Sequence, residues 1–402
     1  MERVIYREIK GSPQFWSLMA LFGAFIAAAA YTVYHIEEEG HIVTGMNNQI
    51  VWGLPHVFAI FLIVAASGAL NIASIGSVFG KTPYKPMSRL SGLLAIALLV
   101  GGLAVLVLDL GRPDRLGVAM TQFNFTSIFT WNILLYTGFI GIVGAYLYTQ
   151  MARGMPAKVV KAAGIAAFVW RLVLTTGTGS IFGWLVARQA YDAAIMAPLF
   201  IVLSFAIGMA TFLLVVMGAT RLTGRKFGVN LRTRLARLMA VFIAALLYFT
   251  AVQHLTNLYA AEHGGIEAFV LRDGGIYTTL FWGVQVILGG LVPMAILFHP
   301  TLGKQAGMVV LSSLLVIAGG FAQLYVIVIG GQAFPLQIFP GYEVSSSFYD
   351  GVVNSYSPSI WELGLGLGGV ALALAVTFFG MMVLRILPNN LSDANVDPKG
   401  NA

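Results

Sequence analysis

The sequence predicts an all-α polytopic membrane protein of about ten transmembrane helices with both termini in the cytoplasm, and three observations predict it. First, 58% of the 402 residues are hydrophobic and only 10% charged, against about 25% charged in soluble domains; the mean hydropathy is +0.85. Second, apolar stretches of about 20 residues, enough to cross roughly 30 Å of hydrocarbon as a helix, recur along the whole chain. Third, these runs are continuous and lack the period-2 alternation of a barrel strand. An ordinary globular enzyme and a disordered chain are thereby excluded.

The ten segments are 15–35, 50–79, 90–110, 125–149, 163–187, 195–219, 236–258, 276–298, 307–330 and 358–386. The first has a basic start and ends in Ala27–Ala30, as a signal peptide can. Its apolar run exceeds the roughly 7–15 residues of a signal core, so it is read as a retained helix. The chain is one integral membrane domain over 1–402. Residues 1–44 form a tail, an extra helix and an outer loop; 45–386 form the core and last helix; 387–402 form a cytoplasmic tail. Small residues crowd several spans, as at Ser67-Gly68-Ala69, Gly101-Gly102 and Gly364 to Gly369, and predict close helix packing.

Charge sets the orientation. With the N-terminus inside, 18 of the 23 Lys and Arg fall on inner loops and tails, from Arg3 and Arg7 to Arg385 and Lys399. Only Arg112, Arg115, Arg188 and Arg272 fall outside, and Arg171 lies within a span. Alternation without violation supports an even number of spans and both termini in the cytoplasm. Twelve of the 16 acids lie at or near the outer face. Residues 220–235 read as a basic inner loop touching anionic lipid. Residues 259–275 and 331–357 read as longer outer loops, with the aromatics Phe334, Phe339, Tyr342 and Tyr349 offered for docking.

Ionisable groups inside a bilayer are expensive and mark function by default. Trp52 and His56 are four apart in the second span, with His56 about 9 Å of helix rise from the outer end. Asn132 and Tyr136 share a face of the fourth span at similar depth. Asp109 closes the third, and an ion pair with Arg112 or Arg115 is the plainer reading of it. Gln253, His254 and Asn257 end the seventh, and Tyr356 and Glu362 begin the tenth. One layer of His, Tyr, Asn and carboxylate within apolar walls suits a quinone. Its two oxygens need hydrogen-bond partners, two protons must move with two electrons, and His titrates near neutrality. The candidate catalytic residues are therefore His56 and Tyr136, and the candidate binding residues Trp52, His56, Asn132, Tyr136, Asp109 and His254. The plainer alternatives are a carbonyl-bonded buried histidine and interface aromatics. No metal site is expected. With no Cys, thiolate-ligated clusters and c-type haem attachment are out of reach of this chain. Electrons must come from or go to a partner.

In order along the chain stand Trp52-Gly-Leu-Pro-His56, Asp109-Leu-Gly-Arg-Pro-Asp-Arg115, Asn124-Phe-Thr-Ser-Ile-Phe129, Gly179-Ser-Ile-Phe-Gly183, Gly330-Gly-Gln332 and Tyr356-Ser-Pro-Ser-Ile-Trp-Glu362. Their order and spacing resemble the NrfD/PsrC family of quinone-interacting membrane subunits, over residues 45 to 386. Within it the first two segments and the ten-span length look closest to DsrP-type members, the membrane subunits of DsrMKJOP complexes of dissimilatory sulfur metabolism. The resemblance implies two four-helix bundles with peripheral helices. It implies a menaquinone or ubiquinone site near the outer face, with the family's helix-borne His and Tyr falling on His56 and Tyr136. As partners it implies a periplasmic DsrO-like iron–sulfur protein, DsrM-, DsrK- and DsrJ-like subunits and membrane lipid; no nucleic acid is expected. Haem b lacks support in the residues, because Leu174 stands where hydrogenase-type relatives carry a histidine. Gln285 stands near the place of a glutamate of some relatives.

The expected function is a quinone- and quinol-exchanging membrane subunit in the bacterial inner membrane, inactive without its complex. The rival class is an ion- or proton-conducting, transporter-like subunit, or a pure anchor. Transporter sites lie near midplane, whereas the inner half here offers Arg171 almost alone.

Overall fold

The computed structural model describes residues 4–336 and 351–397. Phe339, Tyr342 and Tyr349 of the second outer loop, with Arg3 and Lys399, lie outside the described residues. Among the described residues ten helices are long and apolar enough to cross a membrane: α1 (Pro13–Glu39), α2 (Leu54–Ser77), α3 (Thr82–Leu108), α4 (Ile128–Met151), α5 (Ala157–Trp184), α6 (Met196–Leu222), α7 (Val229–Tyr259), α8 (Ile276–Phe298), α9 (Ala306–Ala333) and α10 (Ile360–Val383). The protein is a multi-pass integral membrane protein.

Helices α2 to α5 pack in a ring, α6 to α9 in a second, and α2 meets α6 where the rings join. The outer helix pair is α1 on α10, and α10 rests on α3 and α2. Burial follows this plan: the apolar window of α2 is 89% buried and that of α6 83%, but only 17% of α1 is. The joint is close because both helices present glycine. A Cβ on Gly68 would strike the Ser204 carbonyl, and one on Gly208 would strike the Gly68 backbone. Gly208→Val is expected to cost on the order of 3 kcal/mol by overpacking. Thermal unfolding of the purified variant checks it, and an unchanged melting temperature would refute the backbone-to-backbone joint.

Several ends differ from the apolar runs. α2 begins at Leu54, so Pro55 sits in its first turn, where a missing N–H costs nothing. His56 is therefore in the first helical turn, not well inside the helix, and Trp52 precedes the helix altogether. α7 begins at Val229, so Arg232 and Arg234 stand on helix and not in a basic loop. A hydropathy run marks only the apolar part of a helix, and the backbone ladder continues into the interface. In α8 the turns from Leu280 to Leu291 widen to π-helical geometry, and in α9 those from Val326 to Gly330 do the same.

At the end where the basic residues gather, Tyr6–Arg7 pairs antiparallel with Leu387–Pro388, tying the two terminal segments together. The Arg225 guanidinium donates to the carbonyls of Arg7, Glu8, Leu387 and Pro388 and fixes that junction.

Candidate functional site

The segment Met46 to Leu54 leads into α2 from the acidic end, and four side chains hold it: Gln332 and Glu362, both buried, and Arg188 and Tyr356, both half-buried. The backbone N–H groups of Val51 and Trp52 both donate to Gln332 Oε1 at 3.0 Å, and Gln332 Nε2 returns a bond to the Trp52 carbonyl. Gln332 is itself held by the Val328 carbonyl, and Arg188 bridges the carbonyls of Gln332 and Gln49. On the other side the Leu54 N–H donates to Tyr356 Oη at 2.6 Å, and the Tyr356 hydroxyl donates to Glu362 Oε1 at 2.6 Å. Glu362 Oε2 also accepts from the N–H groups of Gly45 and Ser359, closing a capping box on α10. Burial, reinforced by the adjoining Glu362 carboxylate, pushes the Tyr356 hydroxyl far above its ordinary range, so it stays a neutral donor. The Gly-Gly-Gln and Tyr…Glu motifs thus serve as clamps on the lead-in to α2.

Held in this way, the Trp52 ring stacks on Tyr191 and meets Phe182 and Phe129 at their edges. It also faces the His56 ring, with centroids 6.3 Å apart and planes 29° apart. His56 Nδ1 lies 2.8 Å from Asp109 Oδ2 at the end of α3. The two groups are close but not aligned, and neither Asp109 oxygen receives a hydrogen bond from the described residues. His41 Nε2 contacts the Asp109 carbonyl at 3.1 Å. Asp109 is 5% exposed, so an under-satisfied carboxyl group sits buried beside two histidines. With Nδ1 turned to Asp109, Nε2 is the ring nitrogen left for a ligand. The expected pairing of Asp109 with Arg112 or Arg115 is not found among the described residues; Arg112 forks onto Asp114 at the surface.

The other candidates have partners of their own. Asn132 spends its amide on the carbonyls of Ile128 and Gly177, bracing α4 on α5, and its Oδ1 is buried without a partner among the described residues. The Tyr136 hydroxyl meets Thr178 of α5. His254 belongs to a second cluster, in the α6–α9 bundle. Its Nδ1 lies 2.6 Å from Glu267 Oε2, Asn257 donates to Glu267 Oε1, and the Phe281 ring stands edge-on. Gln253, Gln285, Gln323 and Thr250 line the same small cavity of about 30 Å³, room for about one water. The single polar layer of the sequence therefore divides into two clusters. Leu174, fully buried, offers no axial nitrogen.

Between the two bundles lies a larger, open-sided chamber of about 780 Å³ with almost wholly apolar walls, among them Phe58, Phe61, Leu98, Val284, Ala318 and Phe321. Leu54 and Tyr325 line it too. His56 does not, because it projects from a different side of α2 than Leu54, Phe58 and Phe61.

Residues 42–336 match the family described as polysulphide reductase, NrfD. The protein belongs to the NrfD family. The match takes in the lead-in to α2, the His56–Asp109 pair, the second cluster and Gln332. The "Hdr-like menaquinol oxidoreductase integral membrane subunit" of Archaeoglobus fulgidus is 28% identical over 98% of this sequence and 99% of its own length. The "Menaquinone reductase, integral membrane subunit" of Nitratidesulfovibrio vulgaris is 23% identical over 93% and 92%. A subunit of the polysulfide reductase of Wolinella succinogenes is 25% identical over 71% of this sequence and 96% of its own length. The first similarity takes in α1 and α10, which flank the family match.

Sequence reasoning missed Gln332, Arg188 and Glu267 as working side chains. Gln332 did stand in a quoted motif, but its role depends on a contact 280 residues away. Glu267 carried no signal beyond being an acid in an acidic loop. Asp109, Glu267 and Glu362 are all buried, so the acidic end presents fewer surface carboxylates than the sequence count implies. Phe334, offered for docking, packs its ring on Phe269.

Proposed function

We propose that this NrfD-family protein is the quinone- and quinol-exchanging membrane subunit of an electron-transfer complex. The observation that carries the reading is the buried His56–Asp109 pair beside the Trp52 ring, with Nε2 of His56 left for a ligand. His56 would bond one quinone oxygen and pass its proton, Asp109 would fix the imidazole tautomer, and Trp52 with Phe129 would wall the ring. The names of the relatives from Archaeoglobus fulgidus and Nitratidesulfovibrio vulgaris favour menaquinone over ubiquinone. The gathering of Lys and Arg at one end favours the cytoplasm for that end and the outside for the His56 end. Oxidation of a quinol there releases two protons and two electrons. The electrons are exchanged with a periplasmic iron–sulfur partner of the DsrO kind, which supplies them when a quinone is reduced instead, and further subunits of the DsrM, DsrK and DsrJ kinds complete a sulfur-metabolism complex. Trp52–His56 and Asp109–Arg115 support that finer assignment.

A second reading seats the quinone in the apolar chamber, with the Tyr325 hydroxyl as its polar partner. Its volume favours it, because about 300–1,000 Å³ is usual for small-molecule sites. Extraction of the purified native complex decides whether any quinone is bound. About one quinone per complex is expected on either reading. An intact complex that retains none and turns over no quinol would leave the transporter-like or anchoring alternative standing.

A further inference from the structure

At the basic end α6, α7 and α9 diverge around an open cleft of about 500 Å³. Its walls differ along their length. Leu214, Met217 and Val310 give an apolar floor on the membrane side, and Arg221, Arg225 and Arg232 give a cationic rim. Among the described residues no acidic side chain lines the cleft. The carboxylates at this end are engaged elsewhere: Asp393 caps the first turn of α7, Asp397 pairs with Arg234 and Glu8 with Arg385. None of the three rim arginines forms an ion pair among the described residues.

The rim is built and held. Arg225 is fixed by its four carbonyl bonds. Arg232 donates through Nη2 to the Lys304 carbonyl at 2.8 Å, while its Nε is buried without a partner among the described residues. Arg221 is exposed at the mouth. The first residues of α9, Ala306 and Gly307, also line the cleft, so the N-terminus of a long helix points its positive end there. Gly218 and Gly307 face open space at the mouth, since a Cβ on either would meet nothing within 4 Å.

We propose that this cleft is a binding site for an anionic phospholipid, its phosphate on Arg221 and Arg232 and an acyl tail along Leu214, Met217 and Val310. Three guanidinium groups without an ion pair among the described residues, over an apolar floor at a helix-bundle end, match a lipid phosphate in charge, donor geometry and amphipathicity, with Glu8 and Asp393 acting on Arg225 and Arg232 only from a distance. Inorganic phosphate shares the headgroup chemistry but would leave the apolar floor uncovered. The inference is independent of the quinone reading.

The test uses the full-length protein in its purified complex, exchanged into nanodiscs of phosphatidylcholine with or without phosphatidylglycerol. Native mass spectrometry then counts retained lipid. Wild type is expected to keep phosphatidylglycerol in preference to phosphatidylcholine. Arg221→Gln and Arg232→Gln should each weaken retention about fivefold, as expected for one basic residue near a membrane surface. Arg221→Lys should retain most of it. Gly218→Leu fills the mouth without a clash and should abolish retention in a protein that melts as wild type does, which covers the case of an arginine variant that fails to fold. Equal retention of the two lipids, or normal retention by folded Gly218→Leu, would overturn the proposal. Stabilisation by inorganic phosphate alone that matches phosphatidylglycerol would overturn the lipid assignment.

Discussion

His56→Leu is expected to lower quinol-linked turnover by at least about 100-fold, the usual contribution of a positioned proton-transfer group, in a complex that assembles and melts normally. Leucine nearly matches the ring in volume, and the packing of Trp52 rests on Tyr191, Phe182 and Gln332 more than on His56. The backbone of α2 should therefore stay in place while Nε2 disappears. Asp109→Asn, which keeps shape but removes the charge beside Nδ1, should act in the same direction and more weakly. The chamber reading makes the opposite forecast. There Ala318→Trp, which fills the cavity between the bundles, would stop turnover and His56→Leu would not. Steady-state quinol oxidation by the two variants separates the sites. Normal kinetics in a folded His56→Leu complex would remove His56 from the chemistry whatever the status of the chamber.

The architecture was legible because a membrane imposes it. A backbone with no water to bond must be helical, and the length and apolarity of each run then fix the spans. The segment 276–298 matches α8 to the residue. What escaped lies where helices end. The Pro55 signal for a helix start was present in the sequence, but the apolar run continued through Ile50 and Val51 and obscured it. In α7 the arginines of the first turns hid a helix that the backbone ladder extends. The site was legible by residue type and not by partner. His56 and Asp109 were both marked, but their pairing is set by the packing of α2 on α3, which no periodicity encodes. His254 was marked too, and only the loop carrying Glu267 separates it into its own cluster. The Ser67-Gly68-Ala69 run predicted close packing without naming Ser204 and Gly208 as the surfaces it meets.

Glu362 offers a large expected effect on stability and on turnover together, and it acts through the lead-in to α2. Its carboxyl group is fully buried and receives three hydrogen bonds, from the N–H groups of Gly45 and Ser359 and from the Tyr356 hydroxyl. Glu362→Ala orphans all three donors and the capping box of α10, at a cost on the order of 3 kcal/mol. The loss should also travel. Tyr356, without its acceptor, no longer holds a fixed place against the Leu54 N–H, so the first turn of α2 and the His56 ring on it lose their anchor. A fall of several degrees in melting temperature with a parallel fall in quinol turnover is expected. Glu362→Gln keeps one acceptor oxygen and should recover part of both. Tyr356→Phe, which removes the link and leaves the capping box, should cost less stability than Glu362→Ala but a similar share of turnover. If Glu362→Ala melts and turns over as wild type does, Glu362 is not the clamp that sets His56. If Tyr356→Phe leaves turnover intact while Glu362→Ala abolishes it, the carboxyl group reaches the site by a route other than Tyr356.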